Sequence, residues 1–240
     1  VQQFGSEYLR LFPQAKVLCL SPSALNAQKR EETLLRLKTG AANIIIVPET
    51  TLKKLPIPKA YEKQFIQEDI EEIVTAKEKL KGKRFSIKKL ETLQENLKFK
   101  LKTLANNDEK DDALNLESLG ITSIMLDECH QMKNLHFNSA LLRKCAGLNS
   151  ASGSQKSYDF YLKTRYLTEK NKHDSRGIIL ATGTPLSNSI IELHAMQRYL
   201  MLPELKQKNL AHLDQWIGLF AEATDDFEIS PTGRGFKITQ

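Results

Sequence analysis

Four short runs of apolar residues stand out along the chain because they do not alternate with polar ones. They are KVLCLS (Lys16 to Ser21), NIIIVP (Asn43 to Pro48), SIMLDE (Ser123 to Glu128) and GIILAT (Gly177 to Thr182). A strand that is apolar at successive positions is expected to be buried on both faces, the habit of parallel sheets. Between the first two runs lies NAQKREETLLRLKTG, a helical pattern with Gly40 at the expected C-terminal cap. Strand, helix, strand with such runs predicts an α/β chain: a parallel sheet flanked by helices.

A long departure separates the second and third runs. From about Lys59 to Lys81, Tyr61, Phe65, Ile66, Ile70, Ile73 and Val74 recur at three- and four-residue spacing. After the turn-like KGKR, a second helical stripe carries Ile87, Leu90, Leu93, Leu97, Leu101 and Leu104. Two amphipathic helices joined by a short basic turn predict an inserted antiparallel helical hairpin, each arm roughly 30 Å long at ~1.5 Å per residue. NNDEKDD (Asn106 to Asp112) reads as an exposed polar loop. After the fourth run, the spacing predicts a helix from about Ser189 to Met201, stopped before Pro203. LDQWIGLFAEA predicts another, and the tail SPTGRGFKITQ has weak pattern.

Composition narrows the class. With 240 residues, 40% apolar and 27% charged, the chain has the make-up of an ordinary globular protein, one large domain or one with an elaboration. No apolar run approaches the ~20 residues of a membrane span, and VQQFGSEYLRLFP lacks the pattern of a signal peptide. Three cysteines, Cys19, Cys129 and Cys145, make neither a disulfide framework nor a paired zinc motif. A reducing, cytoplasmic compartment is the expectation. The net charge of +6 favours a polyanionic partner. That charge is concentrated: Lys77 to Lys102 holds ten Lys/Arg against three Glu. The hairpin is therefore a DNA-facing prong, a docking arm or a solvated insertion.

The chemistry gathers at the ends of the third and fourth runs. Ligands of open α/β sheets bind at the carboxyl ends of strands. A carboxylate such as Asp127 can hold Mg²⁺ there, commonly through water. Glu128 beside it can orient or deprotonate an attacking water. The plain alternative is a pair of acids capping a helix N-terminus. About fifty residues on, Thr182, Gly183, Thr184 and Pro185 form a polar strand-to-helix turn whose hydroxyls and N–H groups suit a neighbouring carboxylate or phosphate. A zinc site from Cys129, His130 and His136 has poor spacing. Adjacent carboxylates do not suit glycosidase chemistry. His194, on an apolar helix face, reads as a packed histidine, and Trp216 and Phe220 as core contacts.

LDECHQMKN resembles motif II, and LATGTPLSNSIIELHAMQRYL motif III with its downstream helix, of the superfamily 2 helicases and translocases. The wording is closest to the Swi/Snf-type branch. More narrowly, the chain is similar to the large helicase-like proteins of phages, plasmids and conjugative elements, often joined to a DNA methyltransferase; SASGSQKSYDFYLKTRYL and HLDQWIGLFAEA fit that subgroup. The resemblance implies part of a first RecA-like lobe. Residues 1–58 would be its first part, following a Walker A strand that the chain lacks, 59–112 the hairpin and polar loop, and 113–240 the remainder. It implies ATP and Mg²⁺ as cofactors, DNA (duplex preferred, RNA as the alternative) and a second RecA-like lobe as partners, Mg²⁺ on Asp127 and hydrolytic water on Glu128. His130, Thr182, Gly183 and Thr184 would couple hydrolysis to DNA grip. Thr50, Thr51, Lys133, Asn134 and the SGSQK loop (Ser154, Gln155, Lys156) would face nucleic acid. Cys129 stands where Ala is usual.

One departure limits the reading. The chain contains no G-x-x-x-x-G-K-[ST] phosphate cradle. A fragment lacking that loop and the second lobe is expected to bind ATP weakly and not to turn it over. The other reading is a non-catalytic nucleic-acid-binding or scaffold module derived from such a lobe.

Overall fold

The computed structural model describes residues 1–24, 26, 30–39, 42–79, 84–106, 115–137, 153–172, 175–187, 189–222, 226–229 and 236–239. The chain divides into two compact units. One holds Val1–Tyr61 with the described residues from Asn115 to Ile121; the other holds Glu62–Asn106 and the described residues from Thr122 onward.

In the first unit, helix α1 (Gln2–Leu11) leads into β1 (Val17–Cys19), followed by α2 (Arg30–Lys38), β2 (Ile44–Ile46) and the short α3 (Glu49–Leu52). The strands pair in parallel, Val17 against Ile44 and Cys19 against Ile46. Leu20, Ala24 and Leu37 form a small core with Leu18, Ile45, Val47 and Leu119 around it. Gly40, the expected cap of α2, lies outside the described residues, as does the polar loop from 107 to 112.

The second unit carries the hairpin, α4 (Lys59–Lys79, entering from the first unit) and α5 (Arg84–Asn106). Lys77 lies 3.4 Å from Glu91 near the closed end, while Glu62 pairs with Lys100 at 2.9 Å near the open end. Partners rise along one helix as they fall along the other, so the arms run antiparallel as the sequence predicts. Phe65, Ile66 and Ile73 of α4 and Leu90, Leu93 and Leu97 of α5 are buried. The turn residues Lys81, Gly82 and Lys83 lie outside the described residues.

Next come β3 (Ile124–Leu126), α6 (Gln155–Lys170), β4 (Ile178–Leu180), α7 (Ile191–Leu200), α8 (Leu202–Gln207) and α9 (Leu213–Phe220). β3 and β4 pair in parallel, Ile124 to Ile178 and Leu126 to Leu180. The architecture is α/β, with parallel strand pairs flanked by helices and an inserted helical hairpin. α7 ends where Met201 leaves helical angles, and Pro203 opens α8 in its first turn, a position where its missing N–H costs nothing. Phe137, Ile191, Leu205, Leu213 and Trp216 close a core under these helices.

Three expectations need correction. The runs do not bury both faces: Ile124 and Ile178 are buried, but Met125 and Ile179 are 69% and 49% exposed. β3 and β4 are only three residues long and alternate, core side then open side, while no residue of β1 or β2 is fully buried. Gln155 and Lys156 are not in a loop; they form the first turn of α6, with Ser154 as its N-cap. The tail is not patternless either, since β5 (Asp226–Ile229) and β6 (Phe236–Thr239) form an antiparallel pair.

α6 and α4 meet through charge as well as apolar surface. The Tyr158 hydroxyl donates to Asp69 at 2.8 Å, and Arg165 Nη1 donates to the other Asp69 oxygen at 2.9 Å. Arg165 Nη2 reaches Glu68 at 2.5 Å, and its guanidinium lies over the Phe65 ring at 4.1 Å. Lys163, also buried, is held by Asp159 one turn away.

Candidate functional site

The pairing of β3 with β4 continues past the strand ends and builds the site. Ala181 N–H donates to Leu126 O at 2.9 Å, and Cys129 N–H donates to Ala181 O at 3.0 Å. These two bonds fix the Asp127–Cys129 segment against the Ala181–Thr184 turn at the carboxyl edge of the sheet. The chain reverses sharply at Glu128, which adopts left-handed angles (φ 52, ψ 42). Asp127 Oδ1 accepts the Glu128 N–H at 2.9 Å. A short 3₁₀ turn, Cys129–Met132, follows.

This reversal sends neighbouring side chains in opposite directions. Asp127 and Glu128 are exposed. Cys129 is 2% exposed and its Sγ lies 4.0 Å from the Met196 sulfur on α7. Burial pushes the Cys129 thiol above its ordinary value, so it serves here as a small packing group rather than a nucleophile.

His130 joins the two segments. Its Nδ1 is 3.1 Å from Glu128 Oε2 and 3.3 Å from Thr182 Oγ1. With Glu128 ionised, the favourable tautomer carries the proton on Nδ1 and donates toward the carboxylate. Thr182 Oγ1 in turn accepts the Thr184 N–H at 3.1 Å. A connected line of polar contacts therefore runs Glu128, His130, Thr182, Thr184. A β-carbon built at Gly183 would meet no heavy atom within 4 Å, so the turn is open at that point. Asp127 stands beside this line with its carboxylate in solvent, a hard oxygen donor of the kind Mg²⁺ accepts.

The other sequence candidates are placed differently. Lys133 Nζ is 3.0 Å from Glu192 Oε2 and 3.0 Å from Ser187 Oγ, with both charged side chains largely buried. Ser187 N–H also donates to Glu192 at 2.7 Å. In this conformation the Lys133 ammonium locks the turn before α7 to the segment after Asp127 and Glu128. Lys156 donates to Gln131 Oε1 at 2.6 Å. Ser154 caps α6 by accepting the Ser157 N–H at 3.1 Å, and its own N–H donates to Asn134 O at 2.7 Å. Gly153 just before it has φ 64, and a β-carbon there would lie 2.3 Å from the His136 nitrogen; only glycine fits. Thr50 and Thr51 belong to the first unit, where Thr50 is exposed and Thr51 is fully buried with its hydroxyl 3.4 Å from Ser21 O.

Residues the sequence reading passed over hold this frame. Tyr199 on α7 donates its hydroxyl to Met132 O at 2.8 Å and lies 3.2 Å from Ser157 O. Arg198 Nη1 donates to His136 O at 2.5 Å and its guanidinium stacks over Tyr161. Glu192 had a visible signal, an acid in the first turn of a helix next to a polar turn. Tyr199 and Arg198 had none beyond helical spacing. His136 and His194 are buried, and desolvation, with Arg198 nearby, lowers both imidazoles to about 3. His194 Nε2 is 3.3 Å from Leu210 O, the packed histidine the spacing predicts. Among the described residues no helix is long and apolar enough to cross a membrane.

A segment of 92 residues, 38% of this chain, is 32% identical to the Defense against restriction protein B of Escherichia phage P1. The match spans 4% of that relative's length. No solved structure matches. A family described as "Probable helicase domain" matches residues 1–237, nearly the whole chain. By that match, and in keeping with two strand-end motifs joined through a histidine, the chain belongs to the probable helicase domain family.

Proposed function

We propose that this chain is the motif II and motif III portion of an ATP-dependent DNA translocase of superfamily 2, nearest the Swi/Snf-like branch. The observation that carries the reading is His130 Nδ1 in contact with both Glu128 and Thr182. A residue that must report the state of a catalytic carboxylate to a second motif needs this bridging position. Asp127 would hold Mg²⁺, which with ATP supplies the electrophile and neutralises phosphate charge. Glu128 accepts a proton from, or orients, the attacking water at its exposed carboxylate. His130 then shifts between the Glu128 carboxylate and the Thr182 hydroxyl, and Thr182 passes the change to the Thr184 backbone.

DNA is the polymer moved, held by its backbone and without sequence preference. A second RecA-like lobe closes on this one, and a methyltransferase domain is a further proposed companion. The 240 residues contain no Gly-Lys-Ser/Thr loop, so this reading requires a phosphate cradle supplied by residues beyond them. The second reading is a non-catalytic nucleic-acid-binding or scaffold module derived from such a lobe.

DNA-stimulated phosphate release by the intact protein separates the two. Glu128→Gln is expected to lower the rate at least ~100-fold, the usual worth of a positioned base, with the fold unchanged by circular dichroism. Hydrolysis at the native rate in that variant refutes the catalytic assignment. No hydrolysis by the native protein favours the scaffold.

A further inference from the structure

The hairpin carries a feature its lysines alone do not explain. α5 packs Leu90, Leu93 and Leu97 inward, yet Phe99 on the same helix is 73% exposed. At ~100° per residue, Phe99 lies on the side of the helix away from Leu93 and Leu97. Lys88, Thr92, Glu95, Asn96, Lys102 and Thr103 share its stripe, and all are exposed. Lys98, also exposed, flanks it. Lys102 lies one turn from Phe99, ~4.5 Å along the axis, and Lys88 about three turns the other way, ~16 Å. Lys100, at the edge of the same turn, is used differently: it pairs with Glu62 and sits over the Tyr158 ring.

We infer that the outer face of α5 is a platform for single-stranded nucleic acid, on which Phe99 stacks a base while Lys88, Lys98 and Lys102 hold the neighbouring phosphates. The inference rests on the proposed nucleic-acid function and deepens it by naming the strand state recognised. Charge complementarity commits the face to a polyanion, since Lys88, Lys98 and Lys102 outnumber the one acid of the stripe, Glu95. The exposed ring makes the preferred polyanion one with open base faces. A duplex keeps its bases stacked on each other and offers an aromatic side chain only an edge or a backbone. Every base has a π-face, so the contact carries no sequence preference. The ion pairs and buried leucines that fix α5 to α4 present the ring from a held surface, which lowers the ordering cost of binding.

The test is fluorescence anisotropy on the full chain, with a labelled oligothymidylate and a duplex of equal length, each over a salt series. Phe99→Ala is expected to weaken oligothymidylate binding roughly tenfold, the range of one lost base stack, and to leave duplex affinity unchanged. Phe99→Trp is expected to restore binding. Lys102→Ala is expected to lower the salt slope by about one. Unchanged oligothymidylate affinity in Phe99→Ala, or equal weakening of both probes, overturns the inference. So does self-association of the native chain that Phe99→Ala abolishes, because the occupant of the face is then a second copy. If native binding is salt-sensitive and Phe99→Ala is silent, this inference alone fails. If the native chain binds neither probe at low salt, the nucleic-acid function fails with it.

Discussion

The Asp69–Arg165 pair binds the hairpin to α6 within the second unit, and its strength can be worked from the geometry. Both side chains are 4% exposed, so neither charge has water to fall back on. Arg165→Met keeps the length of the side chain and removes three things at once. The first is the 2.9 Å bond to Asp69, the second the bond to Glu68, and the third the cation over the Phe65 ring at 4.1 Å. Asp69, whose carboxyl is already pushed above its ordinary range by burial, is then left with the Tyr158 hydroxyl and the more distant Arg198. Removing one partner of a buried pair costs about 3–5 kcal/mol, and the ring contact adds about 1 kcal/mol. Asp69→Asn costs less, about 2 kcal/mol, because the amide still meets Tyr158 and Arg165 retains Glu68. The double variant no longer strands a charge. It should be more stable than the sum of the two losses predicts, by at least about 1.5 kcal/mol.

Urea denaturation of the four proteins, followed by circular dichroism with a common slope, measures the cycle. Limited proteolysis then asks whether cleavage in 62–106 rises in Arg165→Met before global unfolding. Additivity within about 0.5 kcal/mol would refute the reasoning. It would mean that Asp69 and Arg165 are each solvated independently in solution, and that the hairpin is held by its other contacts, Phe65, Lys100 over Tyr158 and Lys206 among them.

Two further outcomes follow from the same contacts. His136 and His194 are held neutral to about 3 in the fold against 6.5 when unfolded, so between those values the unfolded chain binds protons that the native one refuses. Stability must therefore fall as pH drops below 6.5, by about 2 kcal/mol per histidine at pH 5; His194→Gln should roughly halve that slope in urea titrations, and an unchanged slope counts against it. Lys133→Met should lower the unfolding free energy by about 2 kcal/mol, because it leaves the largely buried Glu192 carboxylate without its ammonium partner; a native midpoint combined with a salt slope of DNA binding reduced by about one would instead put Lys133 on a phosphate.

How much of this was legible in the sequence depended on whether a residue's role was local. The four apolar runs sit on the four parallel strands, because β-branched and long aliphatic residues bounded by turn signals leave few options. The hairpin was legible because its leucine spacing repeats over many turns. α6 was not: eleven of its sixteen residues are buried, including Lys163, Thr164 and Arg165, so it has no polar face to reveal a period. Its Lys163 and Arg165 carry no local mark of burial, yet both are partnered inside. The Lys133 ion pair was equally hidden, since a lysine's partner 59 residues on, Glu192, leaves no trace in local pattern. The site's two halves were legible as words, but their meeting through His130 is a fact of register between β3 and β4.

The opening alternative for Asp127 and Glu128 was that they merely cap a helix, and backbone geometry bears on it. Glu128 precedes the four-residue Cys129–Met132 turn and makes no side-chain capping bond to it. The N–H that Asp127 accepts belongs to Glu128 itself. Glu128 also occupies left-handed angles, which cost a residue with a β-carbon about 1–2 kcal/mol and a glycine almost nothing. A position chosen for folding alone would favour Gly or Asn. What the strained turn achieves is divergence: Cys129 is driven into the core against Met196 while Glu128 is held out at the sheet edge, within 3.1 Å of His130. The cost is offset by the two backbone bonds between Leu126, Ala181 and Cys129, which fix the reversal from both sides. Strain retained to keep an acid exposed beside an imidazole and a threonine accords with the catalytic role proposed for the carboxylate, whereas capping would use a side-chain bond to the turn that Glu128 does not make.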